Sequence, residues 1–571
     1  MSSASSGQPD RPASVLSRTL RTLADLAEIR GTAAEAADLR RAASAIDALP
    51  PAAASALVQR ARRDRLNNEP GITPTLHWRL RELTASDDEI AISAARAGVP
   101  GLFRRILEAR IVESGEAVLL VRQLGILTPA ELQLALENGR VQQTLGDRID
   151  ARLRQVAHAI EADTRTIPLG RARDILDTLS ASITGCSPAI DLVTAAGEAR
   201  RFESLVSGLV LVARASDPSA AVDQLCSARG IDEVLHRSAR RAVVTAQQAE
   251  VDVRVAAPDE YGTVLFSATG SRPHLHGMRA RSGHLRLAPR EEDLYAQAGL
   301  PFIAPELREG TGEIEAAAAG TLPALVSRAD IRGDLHMHTI YSDGTDTLDA
   351  MVAACCALGY EYIAITDHSE RAGASRTLTR RDLSRQRAEL DTVRERYPQI
   401  AILHGVEADI MPDGSLDFSD RILESLDIVL ASLHDSARQD AKTLTRRCIQ
   451  AIRHPLVTIV THPANRLVGR RAGYPLDFDA IYAAAAETGT ALEIDGAPSH
   501  LDLDGEHARQ AIGAGVTLTI DSDCHRARAL ERQMQLGIGT ARRGWVEPRH
   551  VLNARPLNEV RAFIAAKRAR G

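Results

Sequence analysis

Between residues 336 and 525 the chain places His336, His338, Asp343, His368, Glu407, His434, His462, Asp523 and His525, every one an imidazole or a carboxylate. Such donors hold divalent transition metals; manganese, zinc and iron all suit them, and the donor set alone does not choose among the three. Nine donors exceed what one ion can coordinate, so two or three ions are expected, with Glu407 a candidate to bridge. Ions about 3.5–4 Å apart lower the pKa of a bound water and clamp phosphoryl oxygens during in-line attack, so no protein nucleophile is needed. Glu407, His336, His338 and Asp523 are the members expected to carry catalysis. Burying this many ionisable groups without cations is costly, which favours a functional cluster over a set of unrelated structural histidines.

Neighbours of the donors divide into two kinds. Asp334 in GDLHMH and Asp367 in TDH are expected to orient an imidazole through its second nitrogen rather than to coordinate. His404 and His454 end no strand and read as structural. His500, just past ALEIDGAP, reads as an exposed loop residue ahead of a substrate contact.

The donors recur because the strands recur. IRGDLHMH, YEYIAITDH, IAILHGVEA, LDIVLASLH, LVTIVTH, TALEIDG and VTLTIDSDCH read as strands, nearly all ending in a donor, with helical stretches such as TLDAMVAACCALG, DAKTLTRRCIQAIR and FDAIYAAAAETG between them. Seven βα repeats predict a parallel, barrel-like sheet whose strand ends converge on one site. Alternation puts His336 and His338 on one side, and Asp523 with His525, leaving Cys524 turned away.

Upstream, helical periodicity runs from Val15 to about Glu161, broken by short glycine turns. From Ile167 to about Arg281, strand-like runs such as SGLVLVARA and AEVDVRVAA alternate with helices. The tract GTGEIEAAAAGTLP then leads into the last repeats. At 571 residues the chain is too long for one core, and roughly three or four domains is the ordinary expectation. No apolar run is long enough to span a bilayer and the N-terminus lacks a signal-peptide pattern, so a cytoplasmic protein with no membrane partner is expected. Six cysteines without CxxC spacing point to thiols rather than disulfides or a cysteine zinc site. A net charge of −6 neither supports nor excludes nucleic acid. The only lysines are Lys442 and Lys567, so no lysine is available for Schiff-base chemistry earlier in the chain.

The stretch RGDLHMHTIYSDG through YEYIAITDHS, GVEADIMPDGSLD, ASLH, HPANRLVGRR, GTALEI, SDCH and GIGTARRGW closely resembles the polymerase-and-histidinol-phosphatase (PHP) domain of bacterial X-family DNA polymerases. The likeness extends upstream through TGSRPH and GLPFIAPELREGTGEIEAA, and more weakly to LADLAEIRG and DLRRAASAIDALP, covering essentially the whole chain. It implies a multidomain fold with N-terminal all-α helical domains, a degenerate α/β nucleotidyltransferase-like palm and a C-terminal PHP domain built as a distorted (β/α)7 barrel. The implied layout is a helical N-terminal domain (1–80), helical fingers (81–165), palm and thumb (166–325) and the PHP phosphoesterase (326–571). It also implies a manganese-dependent 3′–5′ exonuclease or DNA-repair phosphoesterase, with DNA as partner. All nine donors match the family's positions.

The likeness fails where polymerisation needs it. The family's palm has a glycine-serine pair and then two aspartates one residue apart; here Glu198 replaces the serine, and the aspartate positions fall at Gly208 and Val210. Asp252 alone remains, as a remnant, and one carboxylate cannot hold two magnesium ions. The family's glycine-rich DNA-backbone turns are reduced to ESGEAVL, TLGDRID and the PGI of residues 70–72. Polymerase activity is therefore expected to be absent. Two other readings follow from the same residues: a small-molecule phosphatase of the histidinol-phosphatase kind, and a non-catalytic DNA-binding scaffold. Arg466, Arg470, Arg471, Arg542 and Arg543 are candidate contacts to substrate phosphate, against the alternative that they pair with carboxylates. Oligomeric state is left open.

Overall fold

The computed structural model of the chain describes residues 13–62, 80–81, 83–84, 88–162, 165–373, 376–436 and 438–570. By contacts the chain divides into two compact units, a coarser division than the four segments read from sequence. The first holds residues up to Arg165 with Ile175–Thr194 and Gly208–Tyr261; the second holds Thr166–Asp174, Ala195–Ser207 and everything from Gly262 onward. The PGI turn at 70–72 lies outside the described residues.

In the first unit, helices at Ala13–Arg30, Ala33–Asp47, Gly101–Glu108, Ser114–Leu124, Pro129–Glu137 and Asp147–Ala162 bury apolar faces in two clusters. Gly31 ends the first helix at φ +81°, and a Cβ there would lie 1.8 Å from the Arg237 carbonyl oxygen, so only glycine fits. TLGDRID forms a break at Gly146 between Arg140–Leu145 and the next helix, and ESGEAVL starts a helix with Glu113 and Glu116 in a capping box.

Among the described residues the strands are β1 (Ile167–Pro168), β2 (Ile190–Ala195), β3 (Leu205–Val206), β4 (Leu209–Ala215), β5 (Glu233–Ser238), β6 (Arg241–Ala246) and β7 (Ala249–Ala256), followed by seven more in the second unit. The first unit's sheet has the order β2-β4-β7-β6-β5, with β4 parallel to β7. Its register sets Val210 directly beside Asp252. Asp252 is 5% exposed and takes Arg241 at 2.7 and 2.9 Å and Arg254 at 2.9 Å; both arginines also reach Glu131, at 2.9 and 3.1 Å. Burial opposes the Asp252 charge, and the two guanidiniums outweigh it, holding the carboxyl below its usual range.

The second unit carries β8 (Gly333–Asp334), β9 (Tyr362–Ile365), β10 (Ala401–Asp409), β11 (Ile428–Ser432), β12 (Ile459–Val460), β13 (Ala491–Asp495) and β14 (Leu518–Asp521). Each falls inside one of the seven stretches read from sequence, except that β10 runs one residue past IAILHGVEA to Asp409. They pair in parallel and in sequential order. Every strand from β9 to β14 is buried on both faces apart from Ala401, as a parallel sheet covered by crossover helices requires. Alternate residues feed two apolar clusters, one against the surrounding helices and one against Val560 and Ile564 of the C-terminal helix Leu557–Arg568. The crossover helices begin at Thr347, Thr379, Asp440, Asp477 and Asp504, whose side chains each accept an amide of the first turn, worth about 1 kcal/mol apiece.

The seam between first and last strands makes this barrel distorted. Instead of a continuous ladder, Met337 and Cys524 form an isolated parallel bridge, with His338 N donating to Cys524 O at 2.9 Å. Below it, side chains replace backbone partners. Ser522 N donates to Asp334 at 3.1 Å and Leu335 N to Asp521 at 2.7 Å. Fully buried Asn553 accepts from Ile520 N at 3.1 Å and donates to Ile520 O at 2.6 Å and Gly333 O at 2.9 Å. Asn553→Ala leaves those groups unpaired at about 1–3 kcal/mol each. The variant is expected to lower the melting temperature of the second unit by several degrees, read by thermal unfolding; an unchanged transition contradicts the seam's role.

Candidate metal centre

The nine donors converge. Glu407, in β10, is 0% exposed and has five imidazole nitrogens around its carboxylate: His368 at 2.7 Å, His462 at 2.9 Å, His434 at 3.4 Å, His336 at 3.6 Å and His338 at 3.7 Å. Oε2 faces His336, His338 and His368, whereas Oε1 faces His434 and His462. Asp523 lies 3.0 Å from His338 and 3.5 Å from His336; Asp343 lies 3.1 Å from His525 and 3.5 Å from His368. Three overlapping groups of possible ligand atoms result: His338, Asp343, His368 and His525; His336, His338 and Glu407; His368, Glu407 and His434. His368 and Glu407 form a parallel bridge that prolongs the β9–β10 pairing, so neighbouring strand ends deliver neighbouring donors. His462 (φ +26°) and Asp523 (φ +48°) adopt left-handed backbone conformations, of the kind retained at functional sites.

The electrostatics ask for cations. Burial opposes charge on Glu407, yet His434, His368 and His336 hold it well below the carboxylate range; burial likewise opposes charge on Asp523, which His336 and His338 hold down. Burial disfavours imidazolium, but the carboxylates overcome it, raising His368 to about 10 and His434 to about 9. His338, buried and facing His525 and His368, falls to about 4. Positive charge is thus drawn onto nitrogens that a metal would otherwise occupy. The residues fit metal ions on a geometric test too: Glu407 Oε2, Asp343 Oδ1 and His368 Nδ1 are buried without a well-formed hydrogen bond, although His368 Nδ1 lies 2.7 Å from Glu407 Oε2 and His368 Nε2 lies 3.5 Å from Asp343 Oδ1.

The carboxylates that orient the histidines are not the ones expected. Glu493 accepts from His336 Nδ1 at 2.7 Å and from His462 N at 2.8 Å, and Asp409 pairs with His434 Nδ1. Asp334 instead receives the Ser522 amide. Asp367 receives the Thr339 and Ser342 amides, their hydroxyls and Gln386 Nε2. These two brace backbone beside the donors rather than turn an imidazole. Adjacency in sequence suggested them; Glu493 and Asp409 point inward from other strands, and their alternation with buried apolar residues was the available signal. His404 bonds Gln386 at 3.0 Å, and His454 caps a helix end near Asp420. His500 is drawn toward the centre, its ring stacked on His462 with centroids 5.2 Å apart.

Of the five arginines expected to meet phosphate, four have other partners, three of them through more than one nitrogen. Arg542 pairs with Glu306 at 2.7 Å and donates to Val326 O, and Arg543 pairs with Glu309 at 2.6 Å and Glu203 at 2.9 Å. Arg466 holds His500 O at 2.9 Å, Leu501 O and Asp504. Carboxylates and carbonyls close at hand engage these guanidiniums. Arg470 is exposed, and Arg471 uses one nitrogen on Asn465. Both line a cleft of about 530 Å³ with Tyr474, Phe478 and Asp502.

A curated relative, the DNA polymerase/3′-5′ exonuclease PolX of Bacillus subtilis (strain 168), is 34% identical over 467 residues, spanning 78% of this chain and 81% of that protein. The chain belongs to the bacterial X-family DNA polymerases with a PHP domain. Within this family member the PHP domain model matches residues 334–461, from the first donor strand to the residue before His462. A probable phosphatase of Caldanaerobacter subterraneus subsp. tengcongensis is 33% identical over 204 residues, 34% of this chain and 75% of that protein. The solved histidinol phosphate phosphatase of Lactococcus lactis subsp. lactis, complexed with zinc, L-histidinol and phosphate, aligns at TM-score 0.31 and 16% identity over 37% of this chain and 93% of that one.

Two outcomes follow from the geometry. Manganese binding near pH 7.5 is expected to release protons, because His368 and His434 are protonated below about 10 and about 9 in the metal-free protein and metal competes for the same nitrogens. Apparent affinity therefore rises with pH through this range and falls below it, which calorimetry in buffers of differing ionisation enthalpy reads directly; pH-independent binding contradicts the assignment. Glu493→Gln or Asp409→Asn is expected to weaken metal binding about 10–100-fold, as loss of an orienting carboxylate does, and unchanged affinity in both removes these residues from the site.

Proposed function

We propose that the chain is a metal-dependent phosphoesterase acting as a 3′–5′ exonuclease or end-processing enzyme on DNA, with templated polymerisation lost. The observation that carries this reading is Glu407, buried, with one oxygen facing His336, His338 and His368 and the other facing His434 and His462. Two or three divalent ions held by the nine donors would supply Lewis acidity toward a phosphoryl group and lower the proton affinity of a water. Manganese is our first choice, as implied by the family, and zinc or iron suits the same donors. Glu493 and Asp409 hold His336 and His434 in register, and Arg470 and Arg471 are the cations left to meet the DNA backbone.

DNA is preferred as substrate because the relative named for polymerase and exonuclease activities spans 78% of the chain, whereas the probable phosphatase covers only 34%. The small-molecule phosphatase reading rests on that second match. Loss of polymerisation is supported by the register that sets Val210, not an aspartate, beside Asp252, and by the arginine pair that occupies that carboxylate. The layout 1–80, 81–165, 166–325 and 326–571 is kept as the family's modular plan, in a cytoplasmic protein.

With manganese, the full chain is expected to shorten 5′-labelled single-stranded DNA from its 3′ end, and Glu407→Gln to abolish this while retaining the fold. Arg470→Ala is expected to raise KM for the oligonucleotide several-fold with little change for a small phosphomonoester, and oligonucleotide turnover to fall steeply with salt. Turnover of the small ester alone would transfer the reading to a phosphatase. Primer extension is expected to be undetectable with magnesium or manganese; templated incorporation abolished by Asp252→Ala would overturn the loss of polymerisation.

A further inference from the structure

Outside the three overlapping groups, ligand atoms of Asp495, His500 and Asp523 also lie within 4.8 Å of one another. Asp495 ends β13 at 0% exposure; its Oδ1 accepts the Ala497 amide at 2.6 Å, and its Oδ2 has no hydrogen-bond partner. His500 Nδ1 is also buried without a partner. Among the described residues no arginine or lysine ion-pairs with Asp495 or Asp523, although Glu493, also 0% exposed, is two residues from Asp495 on the same strand. A buried carboxylate such as Asp495, with one oxygen unpartnered and no arginine or lysine beside it, carries a large desolvation cost.

The turn that presents His500 is built rather than incidental. His500 N and Leu501 N both donate to Ala497 O, at 2.9 and 3.0 Å, and Leu501 takes φ +45°. Arg466 clamps the far side through His500 O and Leu501 O, while Leu503 N returns to Glu493 O at 3.0 Å. His462 stacks on the ring at an interplanar angle of 24°. An imidazole in a braced turn, aimed at two buried carboxylates, is a ligand arrangement rather than a solvated loop.

We propose that Asp495, His500 and Asp523 form an additional divalent-cation site that shares Asp523 with the nine-donor centre. This rests on the metal-centre reading above. One imidazole and two carboxylates suit a borderline transition ion such as manganese. Three protein donors leave coordination positions open, as catalytic rather than closed structural sites do, so this ion exchanges more readily than those at Glu407.

The test uses the metal-stripped full chain, equilibrium-dialysed against a saturating series of manganese alone, with bound ions per chain counted by mass spectrometry. Wild type is expected to hold one ion more than either Asp495→Asn or His500→Ala, with circular dichroism confirming the fold of each. If both variants bind as many ions as wild type while Glu407→Gln binds fewer, the additional site is refuted and the nine-donor centre stands. If Glu407→Gln also binds as wild type does, the centre itself fails and the additional site with it. Should one variant not fold, anomalous diffraction from manganese-saturated wild-type crystals decides: a peak between Asp495, His500 and Asp523 supports the site, and none there overturns it.

Discussion

Glu407 sits at zero exposure with five imidazole nitrogens within 3.7 Å, and a charge so placed is stable only if its surroundings are held rigidly around it. Water cannot relax about this carboxylate, so misplacement of an imidazole is uncompensated in a low-dielectric interior. The barrel supplies the rigidity. Seven strands buried on nearly all faces deliver donors at their ends, and the seam between first and last strands is stitched by Asp334, Asp521 and Asn553 because His336 and His338 leave the regular ladder there. The distortion of the barrel and the convergence of its donors are two consequences of one arrangement.

Much of this was legible in the sequence because parallel strands write themselves as short apolar runs, and metal donors at their ends recur at the same period. Val429 and Ala431 face one apolar cluster while Ile428 and Leu430 face another, so the run IVLA reads as strand whichever face is considered. The relation of His336 to Glu493 was not legible, since the two are 157 residues apart and only closure of the barrel brings them to 2.7 Å. Asp334 and Asp367 misled for the converse reason: nearness in sequence suggested a histidine partner, while strand geometry turned both carboxylates toward backbone amides and hydroxyls. Arg542 and Arg543 misled because a cation at a helix end looks free until Glu306, Glu203 and Glu309 arrive from distant segments. His500 looked like loop until the turn at Ala497 folded it back.

The first unit tells a complementary story. Its sheet holds Asp252 in a buried network with Arg241, Arg254 and Glu131. Glu131 also caps the helix at Pro129–Glu137, so the network around Asp252 ties that helix to the sheet. A carboxylate buried at this depth is kept by such partners, because a buried charge must be paired to persist.

The central claim is that Glu407 is a shared ligand, and electron paramagnetic resonance of the manganese-loaded chain tests it most directly. Titrating metal-free protein with manganese should replace the six-line spectrum of an isolated ion by the broadened, exchange-coupled spectrum of ions sharing a carboxylate, once more than one equivalent is bound, and Glu407→Gln should abolish the coupling. An isolated-ion spectrum at every stoichiometry, unchanged by that substitution, would contradict the account.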